Sequence, residues 1–194
     1  METKAIRSFF AISLSASCLK TLSEIIPQLE EEMPSAVKWT EIINIHLTLK
    51  FLGGFNSKDI APMKKKLEIA FSGFSPFNLK LFNLGVFPNE RNPKIIWVGA
   101  GYPGQLKQLF IILEEAAFSF GYPKEQRGFT PHLTIGRVKE NPTALDYLQI
   151  SRIIHDKKDC EICISEVKGF TFFRSELFST GPTYSKLFSI AFKQ

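Results

Sequence analysis

Two of the three histidines in this chain sit in near-identical tetrapeptides, His46-Leu47-Thr48-Leu49 and His132-Leu133-Thr134-Ile135. Each alternates polar and apolar residues, which is strand periodicity, and successive strand side chains point to opposite faces. His46 and Thr48 then share one face, and His132 and Thr134 share another, while the apolar residues bury behind them. Two such strands side by side offer two imidazoles and two hydroxyls to one space. A neutral imidazole takes a proton from water, and a protonated one gives a proton to a leaving oxygen. The ordinary histidine pKa of about 6.5 makes both forms available near neutral pH. Threonine hydroxyls donate to phosphate oxygens, and Arg137 could add a two-pronged guanidinium. Arg137 lies an odd number of residues after His132, so in a regular strand it faces the other way. Reaching the histidine side requires a bulge or a strand end near Gly136. A lone His-x-Thr arises by chance and a single strand histidine is more often structural. The repetition with matched apolar flanks lifts this pair above that background.

Other chemistries fit less well. Two histidines and a threonine make a poor ligand set, so no metal is expected there. Cys160 and Cys163 form one C-x-x-C pair with no second pair, short of the four ligands of a structural zinc site. They read instead as residues on opposite faces of a late strand. No G-x-S-x-G nucleophile motif is present. Gly99-Ala100-Gly101-Tyr102-Pro103-Gly104 matches a dinucleotide fingerprint in letters only. Pro103 removes an amide donor from a loop that must cradle pyrophosphate, and the polar stretch after the next helix lacks the strand and acidic residue such a site needs.

The elements that must position the histidines follow from periodicity. Strands are predicted over 8–14, 37–39, 45–51, 77–87 (with a bulge at Asn83-Leu84-Gly85), 95–98, 133–138, 162–173 and 184–192. Leu19, Leu22, Ile25, Ile26 and Leu29 have helical spacing, and Pro27 should kink that helix or end it early. A second helix follows an N-cap at Asn56 or Ser57, a third carries Leu106 to Phe120, and a fourth spans 141–155. Ser179-Thr180-Gly181-Pro182 reads as the last turn. Helices and strands do not alternate as a βαβ ladder, so the class is α+β or mixed.

Composition sets the outer bounds. The chain has 194 residues, 44% hydrophobic and 22% charged, which suits one folded domain spanning 1–194 and excludes a disordered chain. No apolar run approaches the ~20 residues of a membrane helix. The net charge of +5 is compatible with an anionic partner. Three cysteines, an odd count, do not read as a disulfide framework and point to a reducing compartment. Lys4, Arg7 and the run Phe9–Leu14 imitate a secretion leader. The run is too short and is better read as a first strand, so the cytoplasm is expected.

The paired motifs resemble those of the 2H phosphoesterase superfamily. Within it the chain is similar to the bacterial and archaeal RNA 2′,3′-cyclic phosphodiesterases, also called 2′-5′ RNA ligases. The strings that carry this are Arg7-Ser8-Phe9-Phe10-Ala11-Ile12, Trp39, His46 to Gly53, Gly85-Val86-Phe87-Pro88, Ile96-Trp97-Val98-Gly99, Thr130 to Val138, Phe173-Arg174-Ser175 and Gly181-Pro182-Thr183-Tyr184. The resemblance implies a bilobal fold, with two antiparallel sheets related by a pseudo-twofold axis around a central groove and helices outside. It implies hydrolysis of RNA 2′,3′-cyclic phosphate ends to 2′-phosphomonoesters without metal or other cofactor. His132 would be the proton acceptor and His46 the proton donor, with Thr48, Thr134 and Arg137 holding substrate. Joining of RNA ends by the reverse reaction is implied too. The substrate partner is an RNA end or nucleotide, with no membrane and no obligate protein partner, and a monomer is expected. Two other functions remain open. One is a phosphodiesterase acting on 2′-5′ oligonucleotides or ADP-ribose cyclic phosphate, and the other is a non-catalytic nucleotide- or RNA-binding module.

Overall fold

Backbone pairing sorts the strand-like segments into β1 (Ala5–Ser13), β2 (Val37–Trp39), β3 (His46–Asn56), β4 (Phe77–Phe87), β5 (Ile95–Ala100), β6 (His132–Val138), β7 (Glu161–Val167), β8 (Gly169–Phe178) and β9 (Gly181–Ala191). The helices are α1 (Ala16–Glu32), α2 (Ile60–Ala70), α3 (Gly104–Phe118) and α4 (Ala144–Asp156). This computed structural model describes residues 5–33, 35–179 and 181–193. Lys4 of the leader-like segment and Thr180 of the last turn lie outside them.

All strand pairs are antiparallel, in the order β7-β4-β5-β6-β3-β1-β8-β9, with β2 added against β6. One lobe is built from β1, β3, β8 and β9 with α2 and α3 packed on it. The other is built from β2 and β4 to β7 with α1 and α4. The fold is α+β and two-lobed, as expected. The two sheets are joined at their edges, through the single pair Leu47–Leu133 between β3 and β6.

Several local outcomes depart from the sequence expectations, each for a physical reason. Pro27 does not end α1, which runs on to Glu32. Pro27 is exposed while Leu22, Ile26 and Leu29 are buried on the opposite stripe. Each of those side chains contributes about 1.5–3 kcal/mol on burial, which together outweighs the ~3 kcal/mol that a mid-helix proline costs. The predicted strand 162–173 is two strands, broken at Lys168. Here the chain passes from β7, paired to β4, to β8, paired to β1 and β9. Gly169, at φ 157°, makes that crossing possible, because a Cβ there would lie 2.2 Å from the Ile190 carbonyl oxygen. The bulge predicted after Phe82 is present, with Asn83 at φ 59°. The leader-like run forms the buried middle of β1, with Phe10 and Ile12 fully inaccessible.

The cysteine reading needs correction. Cys18 and Cys163 form a disulfide between α1 and β7, with Cα atoms 5.7 Å apart, and Cys160 is free. Cys18 lies on the buried face of α1, and that helix packs on β7, which brings two residues distant in sequence into bonding reach. Cys160 precedes β7 and does not share the strand with Cys163.

Candidate active site

Leu47 and Leu133 are paired across β3 and β6 and are both fully buried. Directly opposed residues share a face, so the residues flanking each leucine share the other one. His46, Thr48, His132 and Thr134 therefore stand together on the open face of the joined lobes, each partly exposed. The structure brings together the four residues singled out by the repeated motif.

Arg137 joins them through a bulge. Trp97 pairs with Thr134 and Ile96 pairs with Gly136, so β6 spends one extra residue, Ile135, against β5. That reverses the alternation, buries Ile135 and Gly136 consecutively, and returns Arg137 to the open side. The first motif does the same. Ala11 pairs with Thr48 and Phe10 with Lys50, so Leu49 is the extra residue of β3. Leu49 and Lys50 are buried in succession and Phe51 is exposed. Both bulges fall three residues after the histidine, which makes Phe51 the positional counterpart of Arg137.

The two imidazoles are oriented alike. His46 Nδ1 lies 2.7 Å from the Asn44 carbonyl, and His132 Nδ1 lies 2.7 Å from the Thr130 carbonyl. A carbonyl only accepts, so each Nδ1 carries a proton and donates it, which leaves Nε2 of each ring as the nitrogen that faces outward to take up or release a proton. Their surroundings differ. His46 stacks on Phe9 at 4.9 Å between ring centres and meets the edge of Tyr184 at 5.2 Å. Burial in this aromatic nest lowers its pKa below the ordinary value, and the hydrogen bond to Asn44 partly opposes that. His132 meets Phe87 edge-on at 4.9 Å and Trp97 at 6.4 Å. Gly85 makes room for the indole, since a Cβ there would come within 2.2 Å of the Trp97 ring.

The open face is electropositive. Burial raises the Tyr184 pKa, and Arg137 and Arg7 act against that rise, so both guanidinium groups act on the phenol from nearby. Neither arginine forms an ion pair with a carboxylate among the described residues. Beneath the face, Lys50 Nζ donates to Glu114 Oε1 at 2.8 Å and to the Pro123 carbonyl at 2.9 Å. Glu114 Oε2 in turn accepts from the Glu125 amide at 2.8 Å. This buried pair ties β3 to α3 and to the segment that leads into His132. Sequence reasoning did not single out Phe9, Tyr184 or Lys50 for a role. The available signal for Phe9 was its two-residue spacing from Arg7 on one strand.

A sequence profile described as LigT like Phosphoesterase matches residues 12–97 and again 100–184, each match holding one histidine motif. The chain belongs to the LigT-like phosphoesterase family. The double match parallels the two histidine motifs and their two equivalent bulges. Relatives in this family include RNA 2′,3′-cyclic phosphodiesterases of Thermotoga maritima and Methanothermobacter thermautotrophicus. The first is 32% identical over 187 residues, covering 96% of this chain and 96% of the relative. The second is 29% identical over 185 residues, covering 94% and 96%. Among solved structures, TT0787 of Thermus thermophilus superposes with a TM-score of 0.78 at 23% identity, covering 95% of this chain and 97% of that one. E. coli LigT complexed with 3′-AMP superposes with a TM-score of 0.74 at 25% identity, covering 98% and 99%. No helix among the described residues is long and apolar enough to cross a membrane.

Proposed function

We propose that this LigT-like phosphoesterase hydrolyses the 2′,3′-cyclic phosphate at the end of an RNA to a 2′-phosphomonoester by two-histidine acid–base catalysis, without a metal. The observation that carries the proposal is the repeated geometry. Two imidazoles with Nδ1 bound to a carbonyl stand on one open face, each with a threonine two residues on. The names of the relatives give the substrate class.

In this reading the cyclic phosphate lies between His46 and His132. Thr48 and Thr134 hydroxyls donate to its nonbridging oxygens, and Arg137 balances its charge. Water attacks phosphorus as His132 Nε2 takes one of its protons. The bond from phosphorus to O3′ breaks, and protonated His46 gives its Nε2 proton to that oxygen. The product keeps phosphate on O2′. The free enzyme then exchanges one proton from His132 to solvent and gains one on His46. Burial of His46 makes its imidazolium a stronger acid than an exposed one, and the bound phosphate anion offsets the cost of charging it there. An RNA 5′-hydroxyl in the place of water would form a 2′-5′ linkage by the same proton movements. The whole chain acts as one catalytic unit, a monomer in the cytoplasm.

The test is hydrolysis of an RNA ending in a 2′,3′-cyclic phosphate, with EDTA present and product isomers separated. A 2′-phosphate product that requires both histidines is expected. No turnover of oligonucleotide or mononucleotide by the wild-type protein would overturn the proposal, and a 3′-phosphate product would overturn the assignment of the leaving oxygen.

A further inference from the structure

Arg7 is placed to do something the reaction at the histidines does not need. It is exposed near the start of β1, and its guanidinium carbon lies 4.5 Å over the centre of the Phe51 ring. Phe51 is itself 47% exposed on the open face, turned there by the bulge at Leu49. A guanidinium lying over a ring uses its face for that contact and keeps its N–H edges available. No carboxylate among the described residues takes them up. By contrast Arg174, on the neighbouring strand, is held by Glu176 at 2.7 Å. Arg7 is also within electrostatic reach of the Tyr184 hydroxyl.

Its distance from the reacting centre has a scale. Phe9 stacks on His46, and Arg7 is one same-face step further along β1, about 7 Å in strand geometry. That step is similar to the spacing of consecutive phosphates along a single RNA strand. We infer that Arg7, oriented by Phe51, forms a subsite for the phosphodiester one nucleotide upstream of the cyclic end. The inference rests on the reading above, in which the cyclic phosphate lies between the histidines. The ligand is a polynucleotide chain rather than a mononucleotide. The site needs no base-specific contact, because a guanidinium edge and an aromatic face accept any base sequence.

Binding separates this inference from turnover. The probes are a ribodinucleotide ending in a 2′-phosphate and the matching nucleoside 2′-monophosphate, titrated calorimetrically into the wild-type protein and into Arg7→Gln. The wild type is expected to bind the dinucleotide about tenfold more tightly, the effect of one charge-assisted contact. Arg7→Gln should remove most of that preference, and Phe51→Leu should reduce it. Each phosphate neutralised adds about 0.7 to the slope of log K against log salt for a single strand, so the dinucleotide slope should fall by roughly that much in Arg7→Gln. Equal weakening of both ligands would assign Arg7 to the cyclic-phosphate position and overturn the subsite. A wild type that does not distinguish the two ligands would overturn it as well. Thermal melting of both variants excludes misfolding. A wild type that binds with this preference but turns nothing over would sink the hydrolase proposal and leave the subsite standing.

Discussion

The two histidines share a backbone and differ in neighbourhood. Each begins a bulged strand, each donates from Nδ1 to the carbonyl two residues earlier, and each is followed by a threonine on the same face. Around His46 the walls are Phe9, Phe173 and Tyr184, and burial lowers its pKa. Around His132 they are Phe87 and Trp97. The positions after the bulges differ as well. Lobe one places Lys50 inward on Glu114 and Phe51 outward, while lobe two places Gly136 inward beside Trp39 and Arg137 outward. A duplicated frame thus presents two imidazoles in the same orientation, and unlike side chains set the two halves of the face apart.

The largest effect should come from breaking both halves of the symmetry. His46→Ala and His132→Ala should each lower kcat on a cyclic-phosphate substrate by about 10²–10⁴-fold, with thermal melting little changed. Because the pair acts as a unit, the double variant should be little worse than the poorer single. Either single variant running near the wild-type rate would remove the mechanism.

Next is the buried Lys50–Glu114 pair, which among the described residues has no counterpart in lobe two. Lys50→Met leaves the Glu114 carboxylate buried at 6% exposure without its cation, which should destabilise the fold by about 3–5 kcal/mol in denaturant titration. A Lys50→Met, Glu114→Leu double variant removes both charges and should recover most of that loss, since apolar replacements of buried pairs are often neutral. If the double variant melts as low as the single, the Pro123 and Glu125 contacts, rather than the unpaired charge, carry the stability.

Smaller again is the threonine comparison. Thr48→Val and Thr134→Val keep shape and delete one hydroxyl each. Each should reduce kcat/KM by about tenfold, the worth of one hydrogen bond to a charged oxygen. Near-equal losses would show that the phosphate sits symmetrically. A loss confined to one would place it nearer that lobe.

The motif face was legible in the sequence because strand alternation with buried leucines leaves the histidines and threonines one way to point. Arg137 was legible only conditionally. Its odd spacing demanded a bulge, and Ile135 provides it through a register shift that depends on the partner strand β5. The passage of the chain between lobes at Lys168 was hidden, since Ile162 to Phe173 is apolar enough for one strand and the break depends on which neighbours each half pairs with. The Cys18–Cys163 contact was hidden for the same reason, because helix packing on β7 joins positions 145 residues apart. Pro27 misled because local propensity was outweighed by the stripe that α1 buries. The aromatic nest of His46 draws on β1, β8 and β9, and no local pattern announces a site assembled from three strands.

The last and smallest expected effect concerns that nest. In the wild-type protein the His46 ring protons, followed by NMR, should titrate with a midpoint below 6.5, because burial favours the neutral ring. Tyr184→Ala opens the edge contact at 5.2 Å to water and should move the midpoint back up. The effect on stability has a definite sign. The folded pKa lies below the unfolded one, so between the two values the unfolded chain binds the extra proton. The contribution of His46 is therefore fully present above the unfolded value of about 6.5, and it is lost as pH falls toward the folded value. His46→Gln should flatten the corresponding slope of unfolding free energy against pH on the acid side of neutrality. If that slope is unchanged while the wild-type midpoint sits at or above 6.5, the nest does not desolvate the ring. The aromatic walls around His46 would then pack against the ring without lowering its proton affinity.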